Sequence, residues 1–309
     1  MLSAVTVLEV IQRSADFLAR KGVDSPRLQA ELLLAHVLNL PRMQLYLNFE
    51  RALSRAEEDA LREMVKRRGG REPLQHIVGS TSFCGLEIAI DRHALIPRPE
   101  TELLAEEGWL FLNQIANAKP DGAARGLAAS PFPTPQVGQT TTALDFGTGS
   151  GCIAIALAVK CPTARITALD LAAEALELAQ KNAAQHGVAE RIGWVLGDGL
   201  PALSSQTFDL IAGNPPYIPT REIDTLQPEV RDYDPRSALD GGPDGLDSYR
   251  RLATGAGDFL KSGGKIMLEF GDGQENQVAD LFTSEKWIVE RVVKDYNQRP
   301  RILIARTTL

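Results

Sequence analysis

The residues best suited to chemistry are Asn214-Pro215-Pro216-Tyr217, which follow the apolar run Phe208-Asp209-Leu210-Ile211-Ala212. An apolar run that ends in two prolines predicts a buried strand emptying into a rigid loop, because proline fixes φ and donates no hydrogen bond to a ladder. The Asn214 Oδ1 and the Pro215 carbonyl can each accept one N–H, and the Tyr217 ring can cover a face of the same plane. Such a set can grip a planar –NH2 group.

The elements upstream must supply the electrophile. From Thr142 the pattern alternates strand and helix. Ala143-Leu144-Asp145-Phe146 ends in Gly147-Thr148-Gly149-Ser150-Gly151 and an apolar helix follows from Cys152; a second strand ends in Asp170, a third in Gly197-Asp198, and the next delivers Asn214. This alternation predicts a parallel sheet with helices on both faces and a ligand beyond the carboxyl ends of its strands. The glycine loop alone would suit NAD, another nucleotide or S-adenosylmethionine. Asp170 is placed to accept ribose hydroxyls and Asp198 to accept from an adenine amino group. Asp145 adds negative charge, which suits a cationic sulfonium better than a pyrophosphate and makes NAD the second choice. No Walker lysine follows the loop, and His36, His76, His93 and His186 lack ligand spacing, so no metal is expected. The last two strands, Trp287 to Val293 and Ile302 to Ala305, are joined by a connection too short for a parallel crossover, so they must pair antiparallel.

Composition narrows the class. A chain of 309 residues, 44% of them hydrophobic, can build one large domain and a smaller one. The formal charge of −7 disfavours broad binding to polyanions, so no direct nucleic-acid contact is expected. Cys84, Cys152 and Cys161 have no Cys-x-x-Cys spacing and read as core residues of a protein in a reducing compartment. The sequence offers no signal-peptide pattern and no long apolar span, which points to the cytoplasm and away from membranes.

Residues 1–72 carry the period of short amphipathic helices: Leu8, Ile11, Ala15 and Leu18 form one stripe, Leu28, Leu32, Ala35, Val37 and Leu38 another, and Ser54 to Glu57 a capping box. Arg62, Lys66, Arg67, Arg68 and Arg71 form a basic cluster, which is either a solvated helix end, the favoured reading, or a contact for an acidic partner or RNA. Residues 73–98 read as a hairpin linker turning at Gly79-Ser80, with Gln75 to Val78 as its first strand. Residues 99–309 form the catalytic domain, with a Pro-, Gly- and Thr-rich insertion at about 117–142.

The glycine loop, Asp170, Asp198 and Asn-Pro-Pro-Tyr together resemble a class I S-adenosylmethionine-dependent methyltransferase acting on a planar nitrogen. Four further segments narrow the likeness: Glu72 to Gly79, Phe83-Cys84-Gly85-Leu86, Leu95-Ile96-Pro97-Arg98-Pro99-Glu100-Thr101-Glu102, and Tyr233-Asp234-Pro235 with Ala238 to Asp247. With them the chain resembles the peptide chain release factor glutamine methyltransferases over nearly its whole length. Asn297-Gln298 departs from that family's usual small residue and glycine. The resemblance implies a doubly wound, mostly parallel sheet with an antiparallel last strand, plus a small N-terminal helical domain that docks the substrate. It implies that S-adenosylmethionine is held by Gly147, Thr148, Gly149, Ser150, Gly151, Asp170, Asp198 and Asn214. The substrate would be the glutamine side-chain amide in the Gly-Gly-Gln loop of class I release factors, bound at Asn214, Pro215, Pro216 and Tyr217, with Asn214, Pro215 and Tyr217 catalytic. Pro97-Arg98-Pro99-Glu100 would close over the methionyl end, the basic cluster would gain weight as a docking feature, and the enzyme would act as a monomer. The competing readings are an adenine-N6 nucleic-acid methyltransferase and a ribosomal protein glutamine methyltransferase.

Overall fold

The structure, a computed structural model, describes residues 5–118 and 139–308. Most of the expected insertion, residues 119–138, lies outside the described residues. The chain divides into two compact units, one comprising residues up to Ser80 with Ile90–Arg92 and Thr225–Asp234, the other comprising Thr81–Ala89, His93–Asp224 and Pro235–Leu309.

The first unit contains helices α1 (Val7–Arg20), α2 (Pro26–Leu38), α3 (Arg42–Leu45), α4 (Arg55–Gly69) and α5 (Leu74–Val78). Thr6 and Ser54 open α1 and α4 with reciprocal capping boxes, to Glu9 and Glu57. The core of the unit joins Val7, Ile11 and Leu18 to Leu33, Leu34, Leu61 and Val65. The buried face of α2 matches the expected stripe only in part: Ala35 is buried and Val37 and Leu38 pack against the core, but Leu28 is exposed while Ala30, Leu33 and Leu34 are buried. Five of the six residues from Ala30 to Ala35 are apolar, so periodicity could not choose a face there. The sixth, Glu31, is buried and receives Arg27 Nε and Arg42 Nη1, each at 3.0 Å. Gln75 to Val78 is helical, not a strand: Pro73 is the N-cap of α5, and Gly79, at φ 82°, ends it in the left-handed region. The hairpin lies one turn later, between β1 (Ser80–Phe83) and β2 (Leu86–Ala89), and turns at Cys84-Gly85.

The basic cluster is largely neutralised inside this unit, which removes most of its value for docking. Arg68 is buried and donates to Gln29 Oε1 and Glu229 Oε1, both at 2.9 Å. Arg71 grips both oxygens of Glu229, at 2.7 and 2.6 Å. Arg67 pairs with Glu72 and Arg62 with Asp59.

The second unit is built on a seven-stranded sheet: β3 (Thr142–Phe146), β4 (Arg165–Asp170), β5 (Ile192–Leu196), β6 (Phe208–Gly213), β7 (Leu260–Glu269), β8 (Ile288–Lys294) and β9 (Pro300–Arg306). The strand order is β5-β4-β3-β6-β7-β9-β8, and only β9 runs against its neighbours. The order reverses between β3 and β6, which opens a crevice at their carboxyl ends. Helices α6 (Pro99–Asn117), α7 (Cys152–Lys160) and α8 (Ala173–Gln185) belong to this unit. Leu144, Phe208, Ile211, Tyr249, Leu252, Leu268 and Leu303 are among the fully or almost fully buried residues of its core. Among the described residues, no helix is long and apolar enough to cross a membrane.

Candidate active site

The glycine loop leaves the end of β3 and is braced from below. Asp145 is fully buried, and its Oδ2 accepts from Thr148 Oγ1 at 2.6 Å and from the Ala154 amide at 3.0 Å. Burial pushes its carboxyl up to about 7, so Asp145 is an internal brace and not the fixed negative charge expected near a cofactor. The glycines of the loop do different work. A Cβ on Gly151, at φ 82°, would come within 2.9 Å of Ala179 Cβ, so this glycine permits close packing of α7 on α8. A Cβ on Gly147, at φ 72°, would meet nothing within 4 Å, which leaves the backbone there open to a ligand.

Asp170, at the end of β4, accepts the Gly149 amide on Oδ2 at 2.8 Å and the Ala172 amide on Oδ1 at 2.9 Å. Each carboxylate oxygen keeps a further lone pair, as a hydroxyl-bearing ligand requires. Asp198, beyond β5, is an exposed carboxylate paired with Arg251 at 2.9 Å.

Asn214 follows β6, and Gly213 before it packs so tightly that a Cβ would sit 2.7 Å from the Phe146 carbonyl oxygen. The Asn214 Nδ2 donates to Thr101 Oγ1 at 3.2 Å, and Thr101 Oγ1 donates to Glu269 Oε2 at 2.6 Å. The Asn214 Oδ1 is buried and finds no hydrogen-bond partner among the described residues. Burial pushes Glu269 up to about 7 as well, against the Thr101 hydrogen bond. The backbone of Pro216 and Tyr217 is held by the glycine-rich stretch: a Cβ on Gly241 would lie 2.8 Å from the Pro216 carbonyl oxygen, and one on Gly245 would lie 2.3 Å from that of Tyr217. Gln274 Nε2 donates to the same Tyr217 carbonyl at 2.9 Å.

These groups surround one cavity of about 510 Å³, a size that suits a small-molecule ligand. Gly147, Thr148, Gly149, Ser150, Asp170, Asp198, Asn214 and Pro216 lie on its wall. Gly151, Pro215 and Tyr217 do not. Pro215 is buried, and the Tyr217 ring packs into the core of the sheet against Gly271, with its hydroxyl pushed up to about 12, mainly by burial. Pro97 and Arg98 line the wall, whereas Pro99 and Glu100 do not. Sequence reasoning assigned no role to Thr101 or Glu269. Thr101 had a signal in its place inside Pro97-Arg98-Pro99-Glu100-Thr101, and Glu269 in ending the strand beside the one that delivers Asn214. The cavity also takes in His93 and Leu171, which no spacing had marked.

The PrmC N-terminal domain model matches residues 9–79 and the methyltransferase small domain model matches residues 116–227. The release factor glutamine methyltransferase of Geobacter sulfurreducens is 42% identical over 278 residues, covering 90% of this chain and 88% of that protein. The protein of the same name from Chlorobaculum tepidum is 42% identical over 300 residues, covering 96% and 95%. Among solved structures, the hMettl16 catalytic domain in complex with MAT2A 3'UTR hairpin 6 covers 73% of this chain and 76% of that one with a TM-score of 0.50. At 14% identity, that likeness speaks for the fold alone.

Proposed function

Since the chain belongs to the release factor glutamine methyltransferase family, we propose a division of labour among its residues for methylating the side-chain amide nitrogen of the glutamine in the Gly-Gly-Gln loop of class I release factors. The methyl donor is S-adenosylmethionine, which when bound supplies an electrophilic methyl group on a sulfonium. The Gly147 to Ser150 loop would hold it where the backbone is open, with Asp170 accepting from ribose hydroxyls and Asp198 from the adenine amino group.

An amide nitrogen is a poor nucleophile because its lone pair is delocalised. Asn214 Oδ1 accepts one of its N–H groups, and the carbonyl of Pro215, a buried residue between the wall residues Asn214 and Pro216, is assigned the other; together they raise electron density on nitrogen and fix the direction of its lone pair. Positioning of this kind, together with preorganised acceptors, supplies much of the rate. Pro216 forms the wall beside the amide, and Tyr217 acts from behind, keeping the loop rigid through its packing in the core. The helical unit docks the release factor, and the enzyme works in the cytoplasm as a single chain.

The observation that carries this reading is the buried Asn214 Oδ1, an acceptor without a partner among the described residues, on a side chain that lines the same cavity as the glycine loop. Such an acceptor costs about 1–3 kcal/mol unless a donor reaches it, and a substrate N–H is that donor. Incubation with labelled S-adenosylmethionine and, separately, a purified class I release factor, ribosomes and DNA tests it. Label on the Gly-Gly-Gln glutamine is expected; label only on DNA or on ribosomal protein would overturn the assignment of substrate.

A further inference from the structure

Thr101 lies in the first turn of α6 and Glu269 ends β7, and both are buried. Gly213 pairs with Leu268 in the parallel register of β6 and β7, so Asn214 and Glu269 leave the sheet side by side and Thr101 bridges them. A hydroxyl carries one proton. A carboxylate has none to give, so the Thr101 proton goes to Glu269, at the short distance of 2.6 Å that suits a charge-assisted bond. Thr101 Oγ1 can then only accept from its other neighbour, which must present –NH2. The orientation of the Asn214 amide follows from this proton count, with Nδ2 toward Thr101 and Oδ1 left for another donor.

We propose that Thr101 and Glu269 are positioning residues for methyl transfer, a two-link relay in which the carboxylate dictates which end of the Asn214 amide faces the substrate. The inference rests on the reading that Asn214 Oδ1 accepts from the target amide. Protonation of Glu269 undoes the constraint: its new O–H donates to Thr101, the Thr101 proton is freed toward Asn214, and the amide turns its Oδ1 to meet it. Asn214 then offers a donor to a substrate –NH2 that is itself a donor. The charged and titratable groups facing Glu269 are Glu100, Arg301 and Arg98, with the Tyr217 hydroxyl nearby, and Tyr249 donates its hydroxyl to the Glu269 carbonyl at 2.8 Å. Burial, assisted by Glu100, favours the protonated form, and Thr101, Arg301 and Arg98 oppose it, leaving Glu269 at about 7. The transfer rate therefore falls as pH drops through neutrality.

Single-turnover methylation of a purified release factor, followed from about pH 5.5 to about pH 9 at saturating S-adenosylmethionine, tests this. Thr101→Val is expected to slow transfer about 10- to 100-fold while cofactor affinity by calorimetry shifts less than about threefold. Thr101→Ser restores the hydroxyl and should come within about threefold of wild type. In Glu269→Gln either end of the new amide can face Thr101, so the rate should fall about tenfold and the acid limb should flatten. Wild-type rates in Thr101→Val, a Thr101→Ser as slow as Thr101→Val, or an intact acid limb in Glu269→Gln would each overturn the relay. The near-isosteric Glu269→Gln keeps the idea refutable even where Thr101→Val does not fold. Asn214→Ala separates the two levels: if it transfers at the wild-type rate the role of Asn214 falls, whereas a slow Asn214→Ala beside a fast Thr101→Val sinks the relay alone.

Discussion

Asp145→Asn should reshape the dependence of stability on pH. The carboxyl is fully buried and pushed from 3.8 to about 7 by desolvation, against hydrogen bonds from Thr148 and Ala154 and with Asp170 adding to the rise. A raised acid binds its proton more tightly in the folded state than in the unfolded state. Between the unfolded and folded values the unfolded chain therefore holds fewer protons, and stability falls as pH rises through that window and levels off above it. At about 1.4 kcal/mol per pH unit, the loss from this one group between pH 5 and pH 8 is about 2–3 kcal/mol. Glu269, also raised to about 7, acts in the same direction and is common to both proteins, so the difference between variant and wild type isolates Asp145. The substituted amide would keep an oxygen to accept from Thr148 and Ala154, and would place a nitrogen where Asp145 Oδ1 now has no partner among the described residues. Urea unfolding followed by tryptophan fluorescence is the assay, since Trp109, Trp194 and Trp287 all fall in the sheet unit. The variant should gain about 2–3 kcal/mol on wild type as pH goes from 5 to 8. Parallel curves, within about 0.5 kcal/mol, would refute a neutral buried Asp145.

Other perturbations read different joints. Asp170→Ala removes the acceptor for Gly149 and Ala172 as well as the proposed ribose contact, and should weaken S-adenosylmethionine binding by about 1–3 kcal/mol in calorimetry. Unchanged affinity would remove Asp170 from the site. Gly213→Ala forces a Cβ to 2.7 Å from the Phe146 carbonyl, so the strand end must shift and turnover should drop more than about tenfold while the protein stays folded; full turnover would mean that Asn214 needs no fixed seat. Glu229→Ala leaves buried Arg68 and half-buried Arg71 without their carboxylate, which should destabilise the helical unit by about 2–4 kcal/mol. Far-ultraviolet circular dichroism is the probe there, and a loss under about 0.5 kcal/mol would make the pair ornamental.

What the sequence disclosed and what it withheld follow from distance along the chain. Local signals were legible: the glycine loop on a strand-to-helix turn, acids at successive strand ends, and a connection between β8 and β9 too short for a crossover. Contacts between remote segments were not. The Thr101 to Glu269 hydrogen bond joins residues 168 apart, and Arg68 meets Glu229 across 161. Arg68 and Arg71 looked available to a partner because Glu229, the acid that holds them, lies elsewhere in the sequence. Asp145 looked like an open charge because sequence carries no burial, and the helical turn at Gln75 to Val78 passed for a strand because one turn is too short to display a period. Tyr217 was legible as an aromatic beside Asn214, but its ring turns into the core, where Gly271 makes room for it.

Whether Asn214 grips the target amide is decided by single-turnover methyl transfer from Asn214→Ala to a class I release factor. On the proposed reading the cofactor rests mainly on the glycine loop, Asp170 and Asp198, with Asn214 a minor contact, so affinity for S-adenosylmethionine should change little. The rate of transfer should fall by about 10² to 10³, the effect of losing one of two acceptors that hold the reacting nitrogen, or about 2–4 kcal/mol in the barrier. Asn214→Asp, which keeps an acceptor oxygen, should retain more activity than Asn214→Ala. A wild-type rate in Asn214→Ala would contradict the claim and reduce the Asn-Pro-Pro-Tyr loop to a turn.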